Sequence, residues 1–238
     1  FSLDEGKVLG IVGESGSGKS VTAYSILQIL ANSGKIVSGS ILYGGQELVG
    51  ASKEEMTKIR GNKISIIFQD PMTSLNPVFT IGNQLMEAIM LHTDRDRKQA
   101  EERAIEMLRL VGVNEPEKRI KQYPHEFSGG MRQRVMIASA FVCNPKILIC
   151  DEPTTALDVT IQAEIVKLLK RLNKEHGTAI LFISHDLSLI KQICNRVLVM
   201  KGGYVVESGD TEQIFYNPRE EYTKQLIDAI PKCEKKGE

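Results

Sequence analysis

The sequence predicts an α/β fold: a mainly parallel sheet with a smaller antiparallel part and a group of helices inserted into it. Three observations predict it. Short apolar runs at 8–12, 64–68, 147–150, 180–184 and 197–200 alternate with helical patterns, the rhythm of strands buried on both faces by crossover helices. That alternation stops between about Ile81 and Val142, where helical spacing continues and no convincing strand occurs. Finally, the first apolar run passes through a glycine-rich loop straight into a helix.

That loop is Gly13-Glu14-Ser15-Gly16-Ser17-Gly18-Lys19-Ser20, followed by Val21. It fits G-x-x-x-x-G-K-[S/T] in the context the pattern requires, strand before and helix after. The glycines let successive N–H groups curl toward one point, and the helix adds the positive end of its dipole. Lys19 is expected to reach the β- and γ-phosphates, and the Ser20 hydroxyl to sit on Mg²⁺. The loop therefore predicts a bound nucleoside triphosphate, without saying what its energy is used for.

The remaining elements follow in order. Residues 40–43 read as an additional strand. The run 64–68 ends at Gln69. Residues 81–91 and 95–111 have helical spacing; Asp94 is placed to cap the second helix and Gly112 to end it. Ser128-Gly129-Gly130 opens a helix through Val135, Ile137, Ala138 and Ala140, and offers free N–H groups at its N-terminus. By itself this is equally an ordinary serine cap. The run 147–150 ends in Asp151-Glu152-Pro153. Strand ends face the ligand crevice of a parallel sheet, so Asp151 is the expected Mg²⁺ partner, through water or directly, and Glu152 the expected general base or water-positioner. Lys201-Gly202-Gly203-Tyr204 reads as the turn of an antiparallel hairpin with 204–207.

Bulk properties narrow the classes. Lys plus Arg equals Asp plus Glu at 30 each, so the formal net charge is zero, which weakens a reading as a nucleic-acid binder. No apolar run approaches the ~20 residues of a membrane span, and no signal peptide is visible. Cys143, Cys150, Cys194 and Cys233 are scattered and form no C-x-x-C pair, so they read as free thiols, with Cys233 in a polar tail. His92, His125 and His176 lack ligand spacing and read as surface residues. Met131 and Met136 read as helix packing, 94–98 as a solvated helix start, and 232–238 as a frayed end.

Taken together, the motifs resemble those of ATP-binding-cassette (ABC) ATPases. Ser128-Gly129-Gly130 resembles the signature usually written LSGGQ, with Phe127 and Met131 departing from it while the serine and both glycines remain. Gln69 resembles the Q-loop glutamine, Ala156-Leu157-Asp158 the D-loop, and Ser184-His185-Asp186 the switch histidine. The resemblance runs from Lys7 to Gly209. Gln69-Asp70-Pro71-Met72-Thr73-Ser74-Leu75-Asn76-Pro77, the variant signature and Asn217-Pro218-Arg219-Glu220-Glu221-Tyr222-Thr223 narrow it to bacterial dipeptide and oligopeptide importers and their nickel-importing relatives.

The resemblance implies a P-loop NTPase core in one cassette over 1–238, with a helical subdomain inserted at about 75–142 and a truncated N-terminus. It implies ATP and Mg²⁺, the metal held through Ser20, Gln69 and Asp151. Catalysis would fall to Glu152, His185 and Gln69, and Ser128, Gly129, Gly130 and Asp158 would act on ATP across a cassette dimer. It further implies a second ATPase subunit, a paralogue or a copy of itself, with the family favouring a heterodimer in the cell. Membrane permease subunits would dock at the Q-loop and helical insert, an extracytoplasmic solute-binding protein would take part indirectly, and no nucleic acid would bind. The location implied is the cytoplasmic face of the membrane. The adenine-stacking aromatic of the family is expected upstream of Phe1, and no iron–sulfur site can be assigned around Cys233. Three other readings stand beside peptide import: import of nickel or another small solute, a cassette acting on DNA or ribosomes, and a degenerate regulatory cassette. The absence of a coiled-coil insert opposes the second of these, and intact Lys19, Asp151, Glu152 and His185 oppose the third.

Overall fold

The computed structural model describes residues 1–31, 34–70, 74–155 and 157–230. Pro71, Met72 and Thr73 of the Q-loop segment, Ala156 of the D-loop, and Cys233 with the rest of the tail lie outside them.

The elements run β1 (Val8–Val12), α1 (Lys19–Ile26), β2 (Leu42–Tyr43), β3 (Gln46–Glu47), α2 (Lys53–Ile59), β4 (Ile64–Ile67), α3 (Ile81–His92), α4 (Arg97–Leu110), α5 (Pro116–Arg119), a 3₁₀ turn (Pro124–Glu126) and α6 (Gly129–Phe141). They continue with β5 (Ile147–Asp151), α7 (Val159–His176), β6 (Ala179–Ile183), α8 (Leu187–Ile193), β7 (Arg196–Lys201), β8 (Tyr204–Asp210), α9 (Thr211–Tyr216) and α10 (Glu221–Asp228). The main sheet has the order β4-β5-β6-β1-β7-β8. Its pairings are parallel except β7–β8, which is antiparallel.

Strand side chains alternate between two cores, as a period of two requires. Val8 and Val12, Leu148 and Cys150, Ile180 and Phe182, and Val197 and Val199 face one core with α3, α4, α6 and α7. Leu9 and Ile11, Ile149, Leu181 and Ile183, and Leu198 face the other with α1, α2 and Leu48. Both faces are covered, which is why these strands read as unbroken apolar runs. Gly10 is required by packing: a Cβ there would lie 2.8 Å from the Sγ of Cys194, the residue that ends α8. Burial pushes the thiols of Cys150 and Cys194 up, so they behave as apolar filling.

Several expectations need correction. Residues 40–43 do not form a strand of the main sheet; only Leu42–Tyr43 is extended, in a separate hairpin with Gln46–Glu47. The Glu47 carboxylate accepts from the Ser40 hydroxyl and from the Ile41 N–H, a backbone donor that a longer ladder would have needed. The cap of α4 is Asp96, not Asp94; its carboxylate accepts from Gln99 N at 2.9 Å, and Gln99 answers to Asp96 N. His92 is half-buried at the end of α3, packed against Gly61, and burial pushes its imidazole down.

The segment after β8 docks back on the sheet through Glu207, which is only 7% exposed. Its carboxylate accepts the N–H groups of Arg219 at 2.9 Å and Glu220 at 3.1 Å, and the Gln213 amide at 3.2 Å. Burial pushes Glu207 up, but these N–H donors outweigh it and hold the carboxyl below its usual range. The lowered group binds its proton less readily in the folded state, so its contribution is present above the ordinary carboxylate pKa and is lost as pH falls through the folded value. Glu207→Gln is therefore expected to cost about 1–3 kcal/mol at neutral pH and to flatten the acid limb of stability. Urea midpoints measured from pH 7 to 3 check this; parallel curves for variant and wild type would contradict it.

Candidate nucleotide site

The strand order assembles the site. Parallel pairing aligns Ile67 with Cys150, Asp151 with Ile183 and Ile11 with Ile183, so the C-terminal ends of β4, β5, β6 and β1 lie side by side. The residues just beyond those ends are Gln69, Glu152, His185 and the Gly13–Ser20 loop. This is the crevice where ligands of open α/β sheets bind.

The loop is shaped for close approach. Gly13 has φ of 153°, and a Cβ there would sit 2.1 Å from the Met200 carbonyl oxygen. Gly18, with φ of 97°, caps α1. Glu14, Ser15 and Gly16 are exposed, while Ser17 is buried and its hydroxyl has no hydrogen-bond partner among the described residues. Lys19 is buried, and its Nζ donates to Gly13 O at 2.8 Å and Glu14 O at 2.9 Å. An ammonium has three N–H groups, so one remains for an anion inside the loop. Val21 lies exposed in the first turn of α1.

Ser20 and Asp151 meet, the hydroxyl donating to Asp151 Oδ1 at 2.9 Å. Asp151 is 1% exposed, and its Oδ2 is a buried acceptor with no hydrogen-bond partner among the described residues. Burial pushes its carboxyl up, against the opposing pull of Ser20, Tyr24 and Lys19. The same burial and the Asp151 charge push the Tyr24 phenol up to about 12. An orphaned buried carboxylate oxygen beside a serine hydroxyl is a hard oxygen donor set, and it fits Mg²⁺ or a water of its shell.

Glu152 is the hub of the neighbouring cluster. Its Oε2 accepts the Gln69 amide at 3.0 Å and the Thr155 hydroxyl at 3.0 Å, and His185 Nδ1 lies 3.2 Å from the same oxygen. Those contacts all fall on Oε2, which leaves Oε1 to accept from a water. The backbone of Glu152 is left-handed, with φ of 48°, an uncommon conformation for a non-glycine residue. Its N–H donates to Ile183 O at 3.0 Å, and the Thr155 N–H donates to its carbonyl at 3.2 Å, so neighbouring backbone holds the conformation in place.

The signature residues stand apart from this cluster. Ser128 caps α6, its hydroxyl accepting from Met131 N at 3.4 Å. Ser128 and Gly129 are exposed, and a Cβ on Gly129 would meet nothing within 4 Å. Gly130 packs on Ile161 of α7, whose N-cap is Asp158, accepting from Ile161 N at 2.9 Å. Signature and D-loop are thus neighbours through α7. Gln133, buried on α6, donates to Pro153 O at 2.5 Å and ties that helix to the acid pair.

Sequence reasoning missed Thr155, Tyr24 and Gln133. Thr155 had a signal, a hydroxyl three residues past the acid on a turn. Tyr24 and Gln133 had none, because their partners come from distant segments.

Comparison with known proteins follows the same line. A family model described as ABC transporter matches residues 1–155. The chain is 52% identical over 239 residues to the oligopeptide transport ATP-binding protein OppD of Bacillus subtilis, covering 100% of this chain and 67% of that protein. It is 49% identical over 238 residues to the dipeptide transport ATP-binding protein DppD of the same organism, covering 100% and 71%. The dimeric post-hydrolysis structure of the ATP-binding cassette MJ0796 bound to ADP and Pi matches with a TM-score of 0.78 and 30% identity, over 89% of this chain and 88% of that one.

Proposed function

This chain belongs to the ABC transporter family, and from that premise we propose that it is the ATPase subunit energising uptake of di- and oligopeptides. Its activity is ATP hydrolysis. The observation that carries the reading is the convergence of Gln69, Thr155 and His185 on one oxygen of Glu152, beside the Lys19 loop.

In this reading the loop N–H groups and Lys19 hold the β- and γ-phosphates of ATP. Ser20, Asp151 and Gln69 would hold Mg²⁺, whose charge would offset the negative charge building on the phosphoryl oxygens. Glu152 Oε1 takes a proton from the attacking water as that oxygen bonds to the γ-phosphorus and the bond to the bridging oxygen of ADP breaks. Gln69 and Thr155 fix the carboxylate, and His185 steadies it while facing the γ-phosphate. The exposed Ser128-Gly129-Gly130 end completes the site of a second cassette, supplying N–H donors that one subunit cannot. Asp158 sits at the joint between the two. The chain carries both halves of this arrangement, so a copy of itself suffices as partner, and a paralogue can replace it in the cell.

ATP then favours the closed pair and hydrolysis reopens it, and the membrane subunits follow through the segment after Gln69 and the helical insert at 75–142. The subunit works peripherally, on the cytoplasmic side; among the described residues no helix is long and apolar enough to cross a membrane. In proteoliposomes holding the intact complex, with the solute-binding protein outside, ATP is expected to drive accumulation of a labelled short peptide. The same complex carrying Glu152→Gln is expected to accumulate none. Uptake of nickel in place of peptide would overturn the substrate assignment.

A further inference from the structure

The importer-like segment Asn217 to Thr223 has no role in the reaction as described above, yet one of its side chains touches the phosphate loop. The Tyr222 hydroxyl, on the first turn of α10, accepts the Glu14 N–H at 3.0 Å across 208 positions of chain. The Glu14 N–H and the Gly13 carbonyl belong to one peptide unit. In a trans peptide these two groups lie in one plane and point in opposite directions. The Gly13 carbonyl accepts Lys19 Nζ at 2.8 Å. Tyr222 and Lys19 therefore grip the two edges of the same rigid plate, and whatever fixes its N–H edge also fixes its carbonyl edge.

Tyr222 is itself held. The Lys201 ammonium lies 4.5 Å from the centre of its ring. Lys201 begins the β7–β8 turn, whose Gly203 N–H donates to Ser17 O at 3.1 Å. Glu207 anchors the start of α10 through the Arg219 and Glu220 N–H groups, and Leu226 and Ile227 pack on the core.

We propose that Tyr222 is a positioning residue for ATP binding: its hydroxyl sets the Gly13–Glu14 peptide plane and, through it, the place of the Lys19 ammonium. The segment Asn217 to Thr223 is then a latch that carries the hydroxyl to the loop. The proposal rests on nucleotide binding at Gly13–Ser20, as described under Proposed function.

Tyr222→Phe keeps the ring, the Lys201 contact and the fold while removing only the hydroxyl. The full chain carrying it is expected to show a KM for ATP raised about threefold to tenfold, with kcat within twofold and an unchanged melting temperature. A merely structural role would not produce the second signature, non-additivity. Because Tyr222 acts through Lys19, adding Tyr222→Phe to Lys19→Ala should raise the ATP Kd no further. A Tyr222→Phe variant that binds ATP like wild type would overturn the latch, as would full additivity with Lys19→Ala. Were Lys19→Ala alone to leave ATP affinity unchanged, the loop assignment itself would fail, an outcome separate from either of these.

Discussion

Glu152→Gln is expected to keep ATP bound and to lower its turnover by about 10²–10⁴-fold, the range a positioned general base contributes. The amide preserves the size of the side chain and can still accept from Gln69, Thr155 and His185 through its one carbonyl oxygen. It lacks the second carboxylate oxygen, and with it the basic group left to take the water's proton. Lys19, Ser20 and the loop N–H groups are untouched, so ATP affinity should stay within about threefold of wild type. Phosphate release under saturating ATP measures the first effect and nucleotide titration the second. A variant that hydrolyses ATP at the wild-type rate would remove Glu152 from the base role and leave the convergence of donors on it as structural bracing.

Lys19→Ala should have the opposite signature. Lys19 is only 6% exposed and its ammonium spans Gly13 O and Glu14 O, so its loss removes a charge from the phosphates and the clamp from the loop. Charge-assisted hydrogen bonds are worth about 1.5–3 kcal/mol, so the ATP Kd should rise roughly 10- to 150-fold. Titration calorimetry against ATP reads it directly. Wild-type affinity would show that the phosphates are held elsewhere. Circular dichroism should remain native, because truncation to Ala opens the space the Lys19 side chain fills and lets water reach the freed Gly13 and Glu14 carbonyls.

How much of this was legible in the sequence depended on how far apart the interacting residues lie. The loop was legible because strand, glycines, lysine and helix follow one another without a break. The strand ends Gln69, Asp151, Glu152 and His185 were legible as ends of apolar runs. Their meeting was not, since it depends on the order β4-β5-β6-β1 that tertiary packing selects. Tyr222 on Glu14 and Glu207 under α10 could not be read at all, because nothing local marks a hydroxyl or carboxylate whose partner is a distant backbone N–H. Besides Thr155, two misses had local signals. Helix α2 opens with a reciprocal Ser52–Glu55 capping box that the apolar pattern overshadowed. Asp94 and Asp96 both suited the cap of α4, and only Asp96 has Gln99 at the reciprocal spacing.

In the proposed function a second cassette finishes the nucleotide site. Light scattering on the Glu152→Gln chain tests this, since slow turnover holds the ATP state. With ATP and Mg²⁺ the mass should double from the 26.4 kDa of one chain, and with ADP it should not. Adding Ser128→Arg should abolish the doubling while ATP still binds. A single-chain mass at saturating ATP, or a dimer indifferent to Ser128→Arg, would contradict the composite site.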